Sequence, residues 1–143
     1  MLKGKFSYMS TEQVRGHHID HRSDIFSLGI VLYEMLTLER LFRGESDFDT
    51  LEKIRKVEIS PPSLYNPNIP DQLEEIVLKA LSKDPDDRFQ SAYKFAEALE
   101  SFMRDEDYYF TNKDLANYMK GAFAEDIEFE NRKLEYYRDL EHM

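Results

Sequence analysis

A chain of 143 residues, 41% apolar and 34% charged, is long enough for one domain with a real core and too apolar to stay disordered. Its net charge of -10 argues against nucleic acid and against anionic membrane surfaces, since both need clustered Lys and Arg. The lack of cysteine excludes disulfides, Cys-ligated zinc and thiol catalysis.

In chain order, residues 1–23 have no regular periodicity and read mostly as loop. An apolar helix follows, with Ser23 as its expected N-cap and Asp24 in its first turn, where a carboxylate suits the helix dipole. Apolar residues on almost every side of Ile25 to Leu36 predict an internal helix. This is the longest apolar run, too short to cross a bilayer and interrupted by Glu34. Asp49 and Glu52 have capping-box spacing and predict a short helix to about Val57. Pro61, Pro62, Pro67 and Pro70 then predict an extended connection.

After Pro70, Asp71 and Glu74 repeat the capping-box spacing. Leu73, Ile76, Val77, Ala80 and Leu81 follow at helical intervals. Residues 83–89 read as a turn. A helix from near Ser91 places Ala92, Phe95, Ala96, Leu99, Phe102 and Met103 on one face. After a break at 105–109, a single helix is expected from Thr111, paired with Asp114, to the C-terminus. Its stripe is Leu115, Met119, Phe123, Ile127, Leu134, Tyr137 and Leu140, and from Glu125 onward seven acids face three bases. No strand pattern and no repeat is visible. The fold class expected is all-α.

Four blocks in this order resemble the C-terminal lobe of a eukaryotic-type Ser/Thr protein kinase. They are Gly4-Lys5-Phe6-Ser7-Tyr8-Met9-Ser10-Thr11-Glu12-Gln13, Asp24-Ile25-Phe26-Ser27-Leu28-Gly29, Leu41-Phe42, and Ala80-Leu81-Ser82-Lys83-Asp84-Pro85-Asp86-Asp87-Arg88-Phe89. The first is similar to the end of the activation segment, with Thr11 where that family's Ala-Pro-Glu motif has proline. The second is similar to the start of the lobe's central helix, and the last to Leu-x-x-Asp-Pro-x-x-Arg. The wording of the first block is most like bacterial members. The resemblance covers roughly residues 3–103 and implies a partial kinase domain over 1–104, followed by an acidic amphipathic helical extension over 105–143.

The resemblance also implies which parts are not in these residues. Phosphoryl transfer in the family uses a Gly-rich loop, a strand lysine with its glutamate partner, a His-Arg-Asp catalytic loop and Asp-Phe-Gly. None is found here. His21-Arg22-Ser23-Asp24 comes close to the catalytic loop, but the position five residues past Asp24 is Gly29 rather than asparagine. The chain is therefore expected to begin downstream of the catalytic residues, to bind no cofactor itself, and to belong to an enzyme that uses ATP and magnesium.

The same resemblance assigns roles. Gly4, Phe6, Tyr8 and Met9 would form the wall that receives the peptide residue after the phosphoacceptor, and Tyr8-Met9-Ser10 suits Ser/Thr rather than tyrosine. Glu12 and Arg88 would form a buried ion pair fixing the activation segment to the lobe. Asp24 would support the catalytic loop, with helix capping as its simpler alternative. His17, His18 and His21 raise a metal reading, because 17 and 21 could share a helix face. They lack the Glu of His-Glu-x-x-His, and a surface loop is preferred. The expected partner is a protein substrate, with a second, helix-mediated partner through residues 111–143, and the expected location is the cytoplasm. Two rivals stand beside this: a non-catalytic helical interaction module derived from a kinase, and a truncated product with no settled fold. In the second, an uncovered apolar face would promote association.

Overall fold

The computed structural model describes residues 6–108 and 110–143. Gly4, assigned above to the peptide wall, lies outside them. Among the described residues there are helices and turns and no strand. The chain divides into two compact units, after Glu106.

Among the described residues, the first unit holds five α-helices: α1 (Thr11–Arg15), α2 (Arg22–Thr37), α3 (Asp47–Lys56), α4 (Asp71–Ala80) and α5 (Ala92–Asp105). Its core is built in two clusters that share α2 and α4. Phe26, Ile30 and Tyr33 of α2 meet Phe42, Ile54, Val77 and Leu81 in one. Ile25 of α2 meets Ile76, Ala80, Phe89, Phe95 and Phe102 in the other. A Cβ at Gly29 would lie 3.1 Å from the Ala80 Cβ and 3.1 Å from a Leu81 methyl. The missing side chain is therefore what lets α2 and α4 approach closely enough to close both clusters.

Helix α2 is not apolar for burial on all sides. Its two core faces are covered, whereas Asp24, Leu28, Val31 and Met35 form an exposed row at helical spacing. The helix also starts earlier than expected. It opens at Arg22 after His21, and Ser23 lies buried inside the first turn rather than capping it. The reason is tertiary: the Ser23 hydroxyl is drawn to the Glu12 carboxylate.

Other helix starts differ for similar reasons. The cap of α3 is Ser46, which accepts from the Asp49 N–H, and Asp49 in turn accepts from the Glu45 N–H. The cap therefore lies at Ser46, three residues before the Asp49 expected, and Asp49 closes onto Glu45 rather than pairing with Glu52. Helix α4 starts directly after Pro70 with no side-chain cap, and Glu74 instead accepts from the Ser63 N–H at 2.7 Å. Two of the four prolines sit at the edge of a 3-10 turn, Pro62–Leu64, and Pro62 is buried. Ser91 caps α5 as the sequence predicts, accepting from the Lys94 N–H. Of the face expected on α5, Phe95, Leu99, Phe102 and Met103 join the core, while Ala92 and Ala96 face outward.

Residues 6–23 are more ordered than a loop. A 3-10 turn at Phe6–Tyr8 leads into α1, which is closed by a complete capping box between Ser10 and Gln13. That box satisfies orphan donors at both positions and makes a five-residue helix viable. Gly16 ends the helix with φ 69°, a left-handed conformation that favours glycine.

The second unit contains α6 (Asn112–Ala122) and α7 (Ala124–Glu141). A single helix was expected, and the Thr111–Asp114 capping box does open it. It is broken at Phe123 (φ -118°, ψ 29°), two residues after Gly121. Glycine costs about 1 kcal/mol relative to alanine in a helix interior, which favours ending a helix there. None of the described residues of this unit is buried.

Candidate functional site

The densest polar construction in the protein joins α1, the start of α2 and the turn before α5. The Ser10 box points Glu12 inward from the first turn of α1, and Glu12 is 5% exposed. On the other side, Asp84 accepts from the Asp86 N–H and shapes the 3-10 turn Pro85–Asp87. Arg88 leaves that turn extended and is 1% exposed.

The two side chains meet as a fork. Arg88 Nη1 donates to Glu12 Oε1 at 2.7 Å and Nη2 to Oε2 at 2.8 Å. The remaining donors reach the carbonyls of Ser82 (2.8 Å), Arg22 (3.0 Å) and Lys83 (3.4 Å). All five guanidinium N–H groups are thereby engaged, which only arginine can achieve at this site. The guanidinium carbon also lies 4.7 Å from the centre of the Phe26 ring, tying the ion pair to the core. Ser23 Oγ donates a third hydrogen bond to Glu12 Oε1 at 2.6 Å.

Burial alone would raise the Glu12 carboxyl, but the bonds from Arg88, Ser23 and its own backbone N–H outweigh it. They bring the pKa from 4.5 to about 2. A carboxylate depressed in the folded state contributes stability that is complete above its unfolded value and fades as the pH falls toward the folded one. The window is therefore between pH 4.5 and about 2. The stabilisation at stake there is on the order of 3 kcal/mol. Urea melts at a series of acidic pH values check this: Glu12→Gln should lose much of the wild-type slope in that window. Identical slopes would mean that the ion pair does not set the acid response.

A second, more exposed layer surrounds this core. Arg22 pairs with Asp20 at 2.7 Å and with Asp86 at 2.6 Å, and its hydrogen bonds hold the Asp20 carboxyl well below the usual carboxylate range. His21 Nε2 lies 2.6 Å from the Gln90 carbonyl oxygen, so Nε2 carries the proton and donates. Arg15 Nη2 donates to the Arg55 carbonyl at the end of α3. Between these groups lies an open cleft of about 630 Å³ that His17, His18, Lys83 and Asp84 help line.

The three histidines are not drawn together as a metal-ligand set among the described residues. Residues 17–20 are not helical, so 17 and 21 share no helix face, and His21 is turned toward Gln90. Among the described residues, no three His, Cys, Asp or Glu side chains converge well enough to hold a metal ion.

Of the residues expected to form a peptide wall, Phe6, Tyr8 and Met9 are half-buried. Tyr8 and Met9 pack on the first core cluster. The Tyr8 hydroxyl donates to Glu34 Oε1 at 2.6 Å, and that bond, with burial, raises the phenol pKa. Ser27 Oγ donates to the Tyr8 carbonyl at 2.6 Å. The strip is thus fastened to α2 at two points. Asp24 sits exposed in the first turn of α2, one residue from the buried Ser23.

Three further residues matter here whose contacts the sequence reading did not name. Ser10 with Gln13 carries the S-x-x-Q capping signature and was legible. Glu34 stands as the lone charge within an apolar run, which is a signal of a specific partner; it holds both Tyr8 and the Leu41 N–H. Ser23 gives no signal, because its partner is eleven residues away in another element.

Comparison with known proteins accords with this geometry. A family model described as protein kinase domain matches residues 1–120. The chain is 41% identical over 126 residues to the tyrosine-protein kinase MasK of Myxococcus xanthus, covering 88% of this chain and 20% of that protein. It is 39% identical over 104 residues to the probable serine/threonine-protein kinase CPE1738 of Clostridium perfringens, covering 73% and 15%. It is 43% identical over 89 residues to the serine/threonine-protein kinase PknB of Mycobacterium tuberculosis, covering 62% and 14%. The chain therefore spans a fifth or less of the length of these relatives. Among solved structures, the twitchin kinase region from C. elegans superposes with a TM-score of 0.60 at 23% identity, over 68% of this chain and 17% of that one. The fold is that of the helical C-terminal lobe, and the chain belongs to the protein kinase family.

Proposed function

We propose that these residues form the substrate-side support of a kinase that transfers phosphate from ATP to Ser or Thr of a protein. The observation that carries this reading is the buried fork between Glu12 and Arg88. It locks the strip Phe6–Met9 and α1 to the lobe, where a peptide shelf needs a fixed backbone. Phe6, Tyr8 and Met9 would shape the shelf, as would Gly4, which lies outside the described residues. The tethering of Tyr8 to Glu34 would hold it still.

The exposed row Leu28, Val31 and Met35 on α2 supports a further part of the reading. An apolar face of this kind suits docking of the parts that carry catalysis, and Asp24 at its head would steady the catalytic loop. ATP and magnesium would be held by those parts, not by any residue of this chain. Ser/Thr specificity rests on Tyr8-Met9-Ser10 and on the names of CPE1738 and PknB, against the tyrosine kinase title of MasK. Among the described residues no helix is long and apolar enough to cross a membrane, and we place this part of the enzyme in the cytoplasm.

A two-armed phosphorylation assay tests the proposal. The 143-residue chain with ATP and magnesium should phosphorylate no protein substrate above an enzyme-free control. Joined in frame behind the preceding part of the PknB catalytic domain, it should restore phosphorylation on Ser and Thr. Activity of the isolated chain, or phosphotyrosine as the chimera's main product, would overturn it.

A further inference from the structure

Two serines stand one turn apart on α2, and the hydroxyl of each is drawn out of its own helix. Ser23 Oγ donates to Glu12 Oε1 at 2.6 Å, and Ser27 Oγ donates to the Tyr8 carbonyl at 2.6 Å. A serine inside a helix ordinarily bonds the carbonyl four residues back. For Ser27 that carbonyl belongs to Ser23 and lies farther off, at 3.2 Å. A hydroxyl has one proton to give, and the shorter contact takes the larger share of it. Ser27 thus favours a partner 19 residues away over its local one.

The group it holds is main chain. The Tyr8 carbonyl and the Met9 N–H belong to one planar peptide unit, and the Met9 N–H donates to the Phe6 carbonyl at 3.2 Å. One edge of this plane is tied to α2 and the other to the turn Phe6–Tyr8. The bond from Tyr8 to Glu34 fixes a side chain at its far end, whereas the bond from Ser27 fixes the backbone that carries Phe6, Tyr8 and Met9 together. Among the described residues, no other side chain bonds the main chain of Phe6–Met9. Ser10 and Glu12, farther along, are held separately by Gln13 and by Arg88.

We propose that Ser27 is a positioning residue of the peptide shelf. Its hydroxyl fixes the Tyr8–Met9 peptide unit, and binding of the peptide substrate depends on it while the transfer of phosphate does not. This role in the reaction rests on the reading of Phe6–Met9 as the shelf. Ser27 acts through the backbone it holds rather than on the reacting groups. A shelf that shifts loses contacts made to the peptide in the ground state and the transition state alike, which raises KM and leaves kcat in place.

Two measurements test it. In the 143-residue chain, Ser27→Ala should speed amide hydrogen exchange at Met9 by about fivefold or more and leave the amides of α4 and α5 unchanged, since a local tether is lost and not the core. In the chimera with the preceding part of the PknB catalytic domain, acting on a serine-containing peptide, Ser27→Ala should raise KM by about three- to tenfold, which is what one hydrogen bond can supply. The same variant should keep kcat within about twofold. Ser27→Thr retains the hydroxyl and should restore both readouts. Unchanged exchange at Met9 overturns the proposal, because the hydroxyl then holds nothing. Faster exchange throughout α4 and α5 also overturns it, by making Ser27 a residue of the fold at large. So does a fall in kcat at constant KM, or a threonine variant as impaired as the alanine one. A wild-type chimera that phosphorylates nothing overturns the proposed function and with it the substrate role of Ser27, while exchange at Met9 still reports whether the strip is fastened.

Discussion

Replacing Arg88 by methionine is expected to lower the unfolding free energy by about 3–5 kcal/mol. The loss comes less from missing attraction than from what stays behind. Glu12 remains buried with Ser23 as its only side-chain donor, and the carbonyls of Ser82, Arg22 and Lys83 lose their shared donor. Arg88→Lys should recover little, because one ammonium cannot span both carboxylate oxygens and three carbonyls. The double variant Glu12→Leu with Arg88→Met removes the orphaned charge and should regain part of the loss. It should not regain all of it, since the three carbonyls still need partners. Urea denaturation at neutral pH of the wild type, both singles and the double gives the coupling directly. A cost below about 1 kcal/mol for Arg88→Met would mean that the fork is solvated and carries no structural weight.

Phe26→Ala is expected to cost about 3–5 kcal/mol, the range for emptying a fully buried aromatic site. Phe26 is wholly buried, stacks on Phe42 at 6.1 Å with nearly parallel rings, and lies under the Arg88 guanidinium. Its loss should therefore weaken the ion pair as well as the core, and a cycle with Arg88→Met should show coupling of at least about 0.5 kcal/mol. The informative control lies on the same helix. Leu28→Ala and Met35→Ala, on the exposed row, should each change stability by no more than about 0.5 kcal/mol. Thermal or urea melts of the three variants check the contrast. Equal losses at Phe26 and Leu28 would show that α2 has no uncovered face.

That contrast marks a limit of reading by periodicity. Apolar residues on every side of Ile25–Leu36 predict a helix correctly but also predict uniform burial. Ile25, Phe26, Gly29, Ile30 and Tyr33 are covered because α4 and the Phe42 region lie against them, while Leu28, Val31 and Met35 stay 41–69% exposed. Hydrophobicity records what a face needs; only neighbours decide what it receives. The same limit applies to the C-terminal stripe, whose spacing is visible in the sequence but whose single helix is interrupted at Phe123. There Gly121 was the legible signal.

Helix starts show a similar division. Ser91 and Thr111 were readable because a hydroxyl three residues before an available N–H is a local arrangement. Ser23, Asp49 and Glu74 carried the right side chains for capping, yet each serves a different contact. Ser23 and Glu74 are claimed from afar, by Glu12 and by the Ser63 N–H, and Asp49 becomes the third residue of a helix that Ser46 opens.

By itself, the sequence determined the all-helical class, the order of α2 to α5, most of the core residues and the identity of the family, all of which rest on local spacing and short motifs. The tertiary structure alone decided which face of α2 stays open, which hydroxyls cap and which bond at a distance, and how five donors of Arg88 are shared among four residues. The physical reason is the same throughout. Periodicity and capping act within a few residues of chain, whereas a buried charge is satisfied only by groups that folding brings from 76 residues away, as Glu12 is brought to Arg88.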